Sequence, residues 1–225
     1  MKKQKEVIII SLGGSLIVPN KINTLFLKKF KTLILSEIKK GKRFILICGG
    51  GYTARAYQKT AKYLTKLNHT ELDWLGIHCT LLNAQLIKTI FSGTAHKNIV
   101  ENPTKKLRFK KLLIACGWKP GCSTDYDAVL LARTFKAKTI INLSNITKAY
   151  TKDPKKYKSA KPITKTTWKE FRKIIGDKWI PGANYPFDPV ASKLAEKLKL
   201  KTVIMKGTNL KNLKNYLDNK KFIGT

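Results

Sequence analysis

The sequence predicts an α/β protein, a three-layer αβα sandwich built around a mainly parallel sheet with helices on both faces. Three observations predict it. Short apolar, β-branched runs alternate with longer segments of helical periodicity along the whole chain. Glycine-rich turns stand where the first two of those runs end. At 225 residues with 43% hydrophobic content, the chain is long enough for one large domain and can bury its own core.

Residues 7–12 form the first apolar run and lead into Gly13-Gly14-Ser15. The run is too short for a signal-peptide core and reads as a first strand, so the expected location is cytoplasmic. Residues 23–40 carry Leu25, Phe26, Phe30, Leu33, Ile34 and Ile38 at helical spacing, with Gly41 as the stop. A second strand, 43–48, ends in Gly49-Gly50-Gly51 and is followed by helices over 52–67 and 71–91. A variable, basic stretch containing Pro103 precedes a buried strand at 112–116, which opens into the loop 117–124. A helix over 125–137 and a strand at 139–143 come next. Residues 144–166 read as loop, 167–175 as a short helix and 181–186 as loop. Helix 188–198, strand 202–205 and helix 209–217 close the chain. It shows no repeat and no flexible linker, and no apolar window is long enough to span a membrane.

Forty-six Lys and Arg against 13 Asp and Glu leave a net charge of +33. Such a balance favours polyanions in general. The lysines, however, are spread along the whole length, which reads as a non-specific basic surface and not as a dedicated nucleic-acid site. The carboxylates inform through scarcity: the seven Asp include Asp73, Asp125, Asp127, Asp153 and Asp188, several of them beside Gly, Pro or Thr in loops. Cys48, Cys79, Cys116 and Cys122 lack zinc spacing, and although four cysteines could pair in a secreted protein, nothing argues for secretion, so they read as buried free thiols. His69, His78 and His96 have neither ligand nor triad spacing, so no protein metal site is expected.

The two glycine turns each join a strand to a helix, where bare backbone and free N–H groups can meet an anion. Arg55, one turn into the following helix, can fork onto phosphate oxygens. Neither turn has P-loop or dinucleotide-fold spacing. Ser123 or Thr124 can cap the helix that begins near Asp125, and Asp188 before Pro189 can cap the next. Both caps also put a carboxylate at a strand's carboxyl end, where phosphoryl transfer needs charge positioned without a covalent intermediate.

In order and spacing these residues resemble the UMP kinases of the amino-acid kinase superfamily, in the form found in archaea and some bacteria. The resemblance runs from Gly13-Gly14-Ser15, through Gly49-Gly50-Gly51 with Arg55 and Asp73 with Gly76, Thr80 and Asn83, to Pro120-Gly121 with Thr124-Asp125. It continues through Ser144-Asn145, Tyr150, Asp153-Pro154 and Asp188-Pro189 to Gly224-Thr225. It implies an amino-acid kinase fold over 1–225, with an acceptor half over about 1–120 and an ATP half over about 121–225. It implies Mg²⁺ with ATP as donor, UMP as acceptor in pyrimidine nucleotide biosynthesis, and a homohexamer. By the same resemblance Gly14, Ser15, Gly51 and Arg55 hold ATP phosphates, and Ser144, Tyr150 and Asp153 hold its nucleoside end. Gly50, Asp73 and the loop Trp118, Lys119, Pro120, Gly121, Cys122, Ser123 and Thr124 hold UMP. Asp125 and Asp188, with Arg55, organise the reaction. Ser11 stands where many relatives carry Lys, and 145–150 reads Asn-Ile-Thr-Lys-Ala-Tyr where Asn-Val-Asp-Gly-Val-Tyr is usual. The cation on the transferring phosphate is thereby unassigned, with Lys148 and Lys152 as alternatives. Competing readings are a sister kinase acting on isopentenyl phosphate, carbamate or an amino acid, and a non-catalytic anion- or nucleic-acid-binding scaffold.

Overall fold

A computed structural model describes residues 6–154, 156–178 and 185–225. Residues 181–184 of the loop expected over 181–186 lie outside them. Six parallel strands form one sheet in the order β3-β4-β2-β1-β5-β6. They are β1 (Val7–Leu12), β2 (Arg43–Cys48), β3 (Ala95–Val100), β4 (Leu112–Ala115), β5 (Thr139–Ser144) and β6 (Lys201–Lys206). The helices are α1 (Gly14–Ile17), α2 (Thr24–Lys39), α3 (Gly51–Leu64), α4 (His69–Ile90), α5 (Thr124–Phe135), α6 (Trp168–Ile175), α7 (Pro189–Lys197) and α8 (Leu210–Leu217).

The αβα reading holds, because the apolar strand residues feed two cores on opposite faces of the sheet. Alternate β1 residues Ile10 and Leu12 pack with Phe26, Phe30 and Ile34 of α2, Ala84 and Ile87 of α4, and Leu213 of α8. Val7 and Ile9 face the other way, onto Ala128 and Leu131 of α5, Phe171 of α6 and Ala191 of α7. Helix starts are set locally. Asn23, Asn68, Ser123, Thr167 and Asp188 each accept a backbone N–H from the first turn of their helix, and Asn68 and Thr167 form capping boxes with Glu71 and Glu170.

Two elements were not expected from the sequence. Strand β3 lies in the stretch read as variable, and the four-residue α1 follows the first glycine turn. Helix α3 buries only Ala54 and packs on α4, so that Tyr57, Tyr63, Leu64 and Trp74 remain exposed on this pair. Glu37 is fully buried in α2, where Lys40 and Lys42 pair with it, and Lys40 also reaches Asp218 at 2.7 Å. Burial opposes ionisation of Glu37, but the two ammonium groups win and hold its carboxyl below the usual range.

Helices α5 and α7 end in the same way. Lys136 (φ 55) and Lys199 (φ 52) take the left-handed conformation, and the next residue's N–H reaches back five residues, Ala137 to Ala132 and Leu200 to Ala195. Glycine is the usual occupant of such a cap, and an ordinary side chain there costs about 1 kcal/mol or more.

Candidate active site

The carboxyl ends of β1, β2 and β5 meet at the two glycine turns. Gly13 N–H donates to the Leu143 carbonyl at the end of β5 (3.0 Å), and Gly49 N–H donates to Leu12 at the end of β1 (3.0 Å). Gly14 lies against the Gly49–Gly51 backbone so closely that a Cβ on Gly49 would stand 2.6 Å from Gly14 N. Gly51 has φ +67, and any Cβ there would run into the Gly14 carbonyl. The two turns therefore form one cradle of bare backbone. Asn83, buried in α4, fixes it by donating from Nδ2 to the carbonyls of Gly49 (2.8 Å) and Gly50 (3.1 Å). Ser15 is half-buried in α1, and Arg55 is exposed one turn into α3.

Next to the cradle stands Asp125, at the start of α5. Oδ1 accepts from Ser11 Oγ of β1 (3.3 Å) and from Asn142 Nδ2 of β5 (3.4 Å). Oδ2 accepts the Asp188 N–H at the start of α7 (3.2 Å), while Asp188 Oδ1 caps α7 through Ala191 N–H at 2.7 Å. Burial raises the Asp125 carboxyl to about 7, assisted by the neighbouring Asp188 charge and opposed by the Asp188 N–H and the Ser11 hydroxyl. The structure thus brings Asp125 and Asp188 together. It also adds Ser11 and Asn142, to which the sequence reading gave no role.

On the β4 side, three backbone N–H groups of the 117–124 loop are tied down by side chains. Gly117 donates to Thr80 Oγ1 (2.8 Å), Trp118 to Asp127 Oδ2 (3.0 Å) and Gly121 to Asp73 Oδ2 (2.8 Å). Asp127 is fully buried, its Oδ1 has no partner, and burial raises it to about 7. Beside this loop opens a cavity of about 680 Å³, lined among others by Asp73, Trp118, Lys119, Ser123 and Asp188. Pro120, Gly121 and Cys122 also line it, and Lys119 Nζ lies 4.2 Å from the Trp118 ring centroid. Thr124 opens α5 behind Ser123.

On the β5 side, Ser144 ends its strand, and its carbonyl accepts from Gly207 N–H at 2.8 Å. Tyr150 bridges to Pro162 in the stretch that follows β5, and exposed Asp153 accepts Lys156 and Tyr157 N–H on its carbonyl. Lys148 Nζ donates to Thr164 Oγ1, and Lys152 lies over the Tyr157 ring. Three cysteines are buried as expected, whereas Cys122 is half-exposed, and burial raises all four thiols. Among the described residues no group of three or more His, Cys, Asp or Glu is placed to hold a metal ion, and no helix is long and apolar enough to cross a membrane.

A model of the amino acid kinase family matches residues 6–206. Similar curated proteins include uridylate kinases of Sulfolobus acidocaldarius, 31% identical over 88% of this chain and 89% of that protein, and of Thermoplasma volcanium, 32% identical over 98% and 96%. Among solved structures, the uridylate kinase from Archaeoglobus fulgidus is 29% identical with a TM-score of 0.82, covering 97% of this chain and 98% of that one. The UMP kinase from Ureaplasma parvum, 16% identical with a TM-score of 0.77 over 99% and 98%, shares the fold.

Proposed function

The chain belongs to the amino acid kinase family, and from that premise we propose that it is a nucleoside-monophosphate kinase that moves the γ-phosphoryl group of Mg-ATP onto UMP, a step of pyrimidine nucleotide biosynthesis. The observation that carries this reading is the place of Asp125. It sits at the end of β1, beside a cradle of bare glycine backbone, and holds the N–H of Asp188, which lines the 680 Å³ cavity. Donor and acceptor phosphates can meet there.

In this reading the acceptor half, about 1–120, offers UMP the Gly50 backbone and Asp73, and the 117–124 loop closes on it. Gly14, Ser15, Gly51 and Arg55 hold ATP phosphates, and Ser144, Tyr150 and Asp153 of the other half hold the nucleoside. An oxygen of the UMP phosphate attacks the γ-phosphorus in line as the bond to the β–γ bridging oxygen breaks. The chain's part is to position the reactants and to hold charge, because no residue needs to form a covalent intermediate. Two carboxylates without a third ligand suit a Mg²⁺ that arrives on ATP, keeping phosphate and water ligands, better than a resident ion. Asp125 and Asp188 would face it, and its chemistry is neutralisation of charge on the phosphate oxygens.

A homo-oligomer, hexameric by resemblance, belongs to the same reading. The exposed Tyr57, Tyr63, Leu64 and Trp74 on α3 and α4 give it an apolar face. Light scattering at low and moderate salt measures it, since copies carrying +33 each repel least when screened.

The activity is tested by following ADP release from Mg-ATP with UMP, CMP, AMP and isopentenyl phosphate in parallel. UMP-selective turnover that Asp188→Asn and Arg55→Ala both abolish is expected. Turnover on another acceptor alone would transfer the chain to a sister activity, and no turnover on any would end the kinase reading.

A further inference from the structure

The lysines that look evenly spread in sequence gather in space at the amino-terminal edge of the sheet, the end opposite the candidate active site. In a parallel sheet every strand starts at that edge, so the segments entering β2, β4, β5 and β6 meet there. They carry Arg43, Lys110 and Lys111, Lys136 and Lys138, and Lys199 and Lys201, and all six lysines are exposed. Backbone bonds join these segments directly: Phe44 N–H donates to the Lys111 carbonyl and Lys201 N–H to the Lys138 carbonyl, each at 3.0 Å. From β4 to β6 the row crosses four strand spacings, on the order of 20 Å.

Two further observations separate this row from the general basic surface. Among the described residues, none of the six lysines takes part in an ion pair, whereas Lys40 and Lys42 at the same edge are held by Glu37 and Asp218. Glu6, at the head of β1, is the carboxylate that stands within the row. Secondly, Lys136 and Lys199 occupy left-handed caps where glycine would be unstrained. Of the three left-handed caps that feed this edge, the one before β2 is Gly41, whereas those before β5 and β6 bear the strain and keep two ammonium groups there.

We propose that this edge is a docking surface for the phosphodiester backbone of a nucleic-acid duplex, engaged through charge and without reading bases. The side chains favour that partner. Arg43, the one planar fork in the row, is committed to the carbonyls of Phe109 and Lys110, which leaves ammonium groups suited to phosphates as point charges. Tyr216, the aromatic beside Lys201, is half-buried with that ammonium 5.4 Å from its ring centroid, and no large apolar or aromatic side chain stands fully exposed along the row, so it has neither a wedge for a membrane nor an open stacking platform for single-stranded bases.

The test is fluorescence anisotropy of a labelled 20-base-pair duplex, in DNA and RNA versions, titrated with the full chain between 50 and 300 mM salt. One variant replaces Lys110, Lys111, Lys136, Lys138 and Lys199 with Gln. A second removes the same charge elsewhere, with Gln at Lys28, Lys29, Lys59, Lys62 and Lys66. The first is expected to weaken binding at least tenfold and to make the log–log salt slope shallower by about 4, while the second weakens it less than threefold. Equal losses in the two variants would overturn the proposal in favour of charge spread over the whole surface. So would absence of wild-type binding at 50 mM salt, or stronger rim-dependent binding to phosphatidylserine vesicles than to either duplex. Lys136→Gly with Lys199→Gly keeps the test independent of folding: this pair is expected to raise Tm while weakening duplex binding, and unchanged binding would count against the proposal.

Discussion

Ser11 and Asn142 are register partners on the adjacent parallel strands β1 and β5, and both donate to the same oxygen of Asp125. A strand pairing is thus converted into the orientation of one carboxylate. Because both donors act on a single acceptor, their contributions are expected to be non-additive. Ser11→Ala and Asn142→Ala are each predicted to lower kcat roughly tenfold with little change in KM, by loosening the carboxylate to which the proposed transfer assigns a transition-state role. The double variant should fall no more than about twofold below the worse single one, a cycle that steady-state kinetics on UMP reads directly. A fully multiplicative loss would show that the two act separately.

Asp125 is held at about 7 chiefly by burial. A carboxylate that organises phosphates must be ionised, so kcat/KM, which reports the free enzyme, should fall about tenfold per unit below pH 7 and level off above it. Asp125→Asn should remove that limb along with at least a hundredfold of activity. A profile that stays flat down to pH 5.5 would exclude this carboxylate from the rate.

Asp127 gives a stability prediction of definite sign. Its folded value of about 7 lies above the ordinary 3.8, so between about pH 4 and 7 the folded chain keeps a proton that the unfolded chain has released. Stability therefore falls as pH rises through that window, by up to about 1.4 kcal/mol per unit for this group, and is level above it. Asp125, raised to the same value, adds an equal slope, so Asp127→Asn, which retains an acceptor for Trp118 N–H, should halve the dependence. Urea denaturation at pH 5, 6, 7 and 8 tests it.

Gly14→Ala forces a methyl group into the Gly51 backbone, where no flexible side chain can give way. A loss of about 3 kcal/mol is predicted, together with weakened ATP binding. Calorimetric titration and chemical denaturation of the same sample measure both, and an unaltered protein would mean that the two turns can part freely.

Asp73→Ala removes the bond to Gly121 N–H. It should raise KM for UMP roughly tenfold, about 1.4 kcal/mol, and leave KM for ATP within twofold. Equal changes in the two constants would deny Asp73 to the acceptor side.

Elements with a strong local signature were legible in the sequence. The β-branched run 7–12 and the spaced Phe26, Phe30 and Ile34 appear as β1 and α2. Strand β3 was not, because Ala95-His96-Lys97-Asn98-Ile99-Val100 lies at the sheet edge and buries only its last residue fully, so it carries no apolar run. The same division runs through the candidate site. Asp125 and Asp188 were readable because carboxylates at helix starts announce themselves. Asn142 left a fainter trace, a polar residue inside Ile140-Ile141-Asn142-Leu143. Asp127 was visible as one of the scarce carboxylates in the first turn of a helix, but its hold on the Trp118 N–H was not, since that loop becomes its neighbour only through the fold. The basic edge was hidden for the same reason, as its lysines come from segments tens of residues apart that a parallel sheet gathers at one end.

The central position of β1 also bears on how the chain reaches this structure. Its pairing with β2 joins Val7 to Arg43, a short excursion, whereas its pairing with β5 joins Ile8 to Thr139 and closes a loop of well over a hundred residues. Loop-closure entropy disfavours the second pairing until much of the chain has condensed, and such distant contacts slow folding. The candidate site, which straddles both pairings, is therefore expected to assemble last. Pulse-labelled amide exchange during refolding should find β2 amides protected before those of β5. Meanwhile the chain's large positive charge keeps partly folded copies apart while β1 still lacks a neighbour on one side.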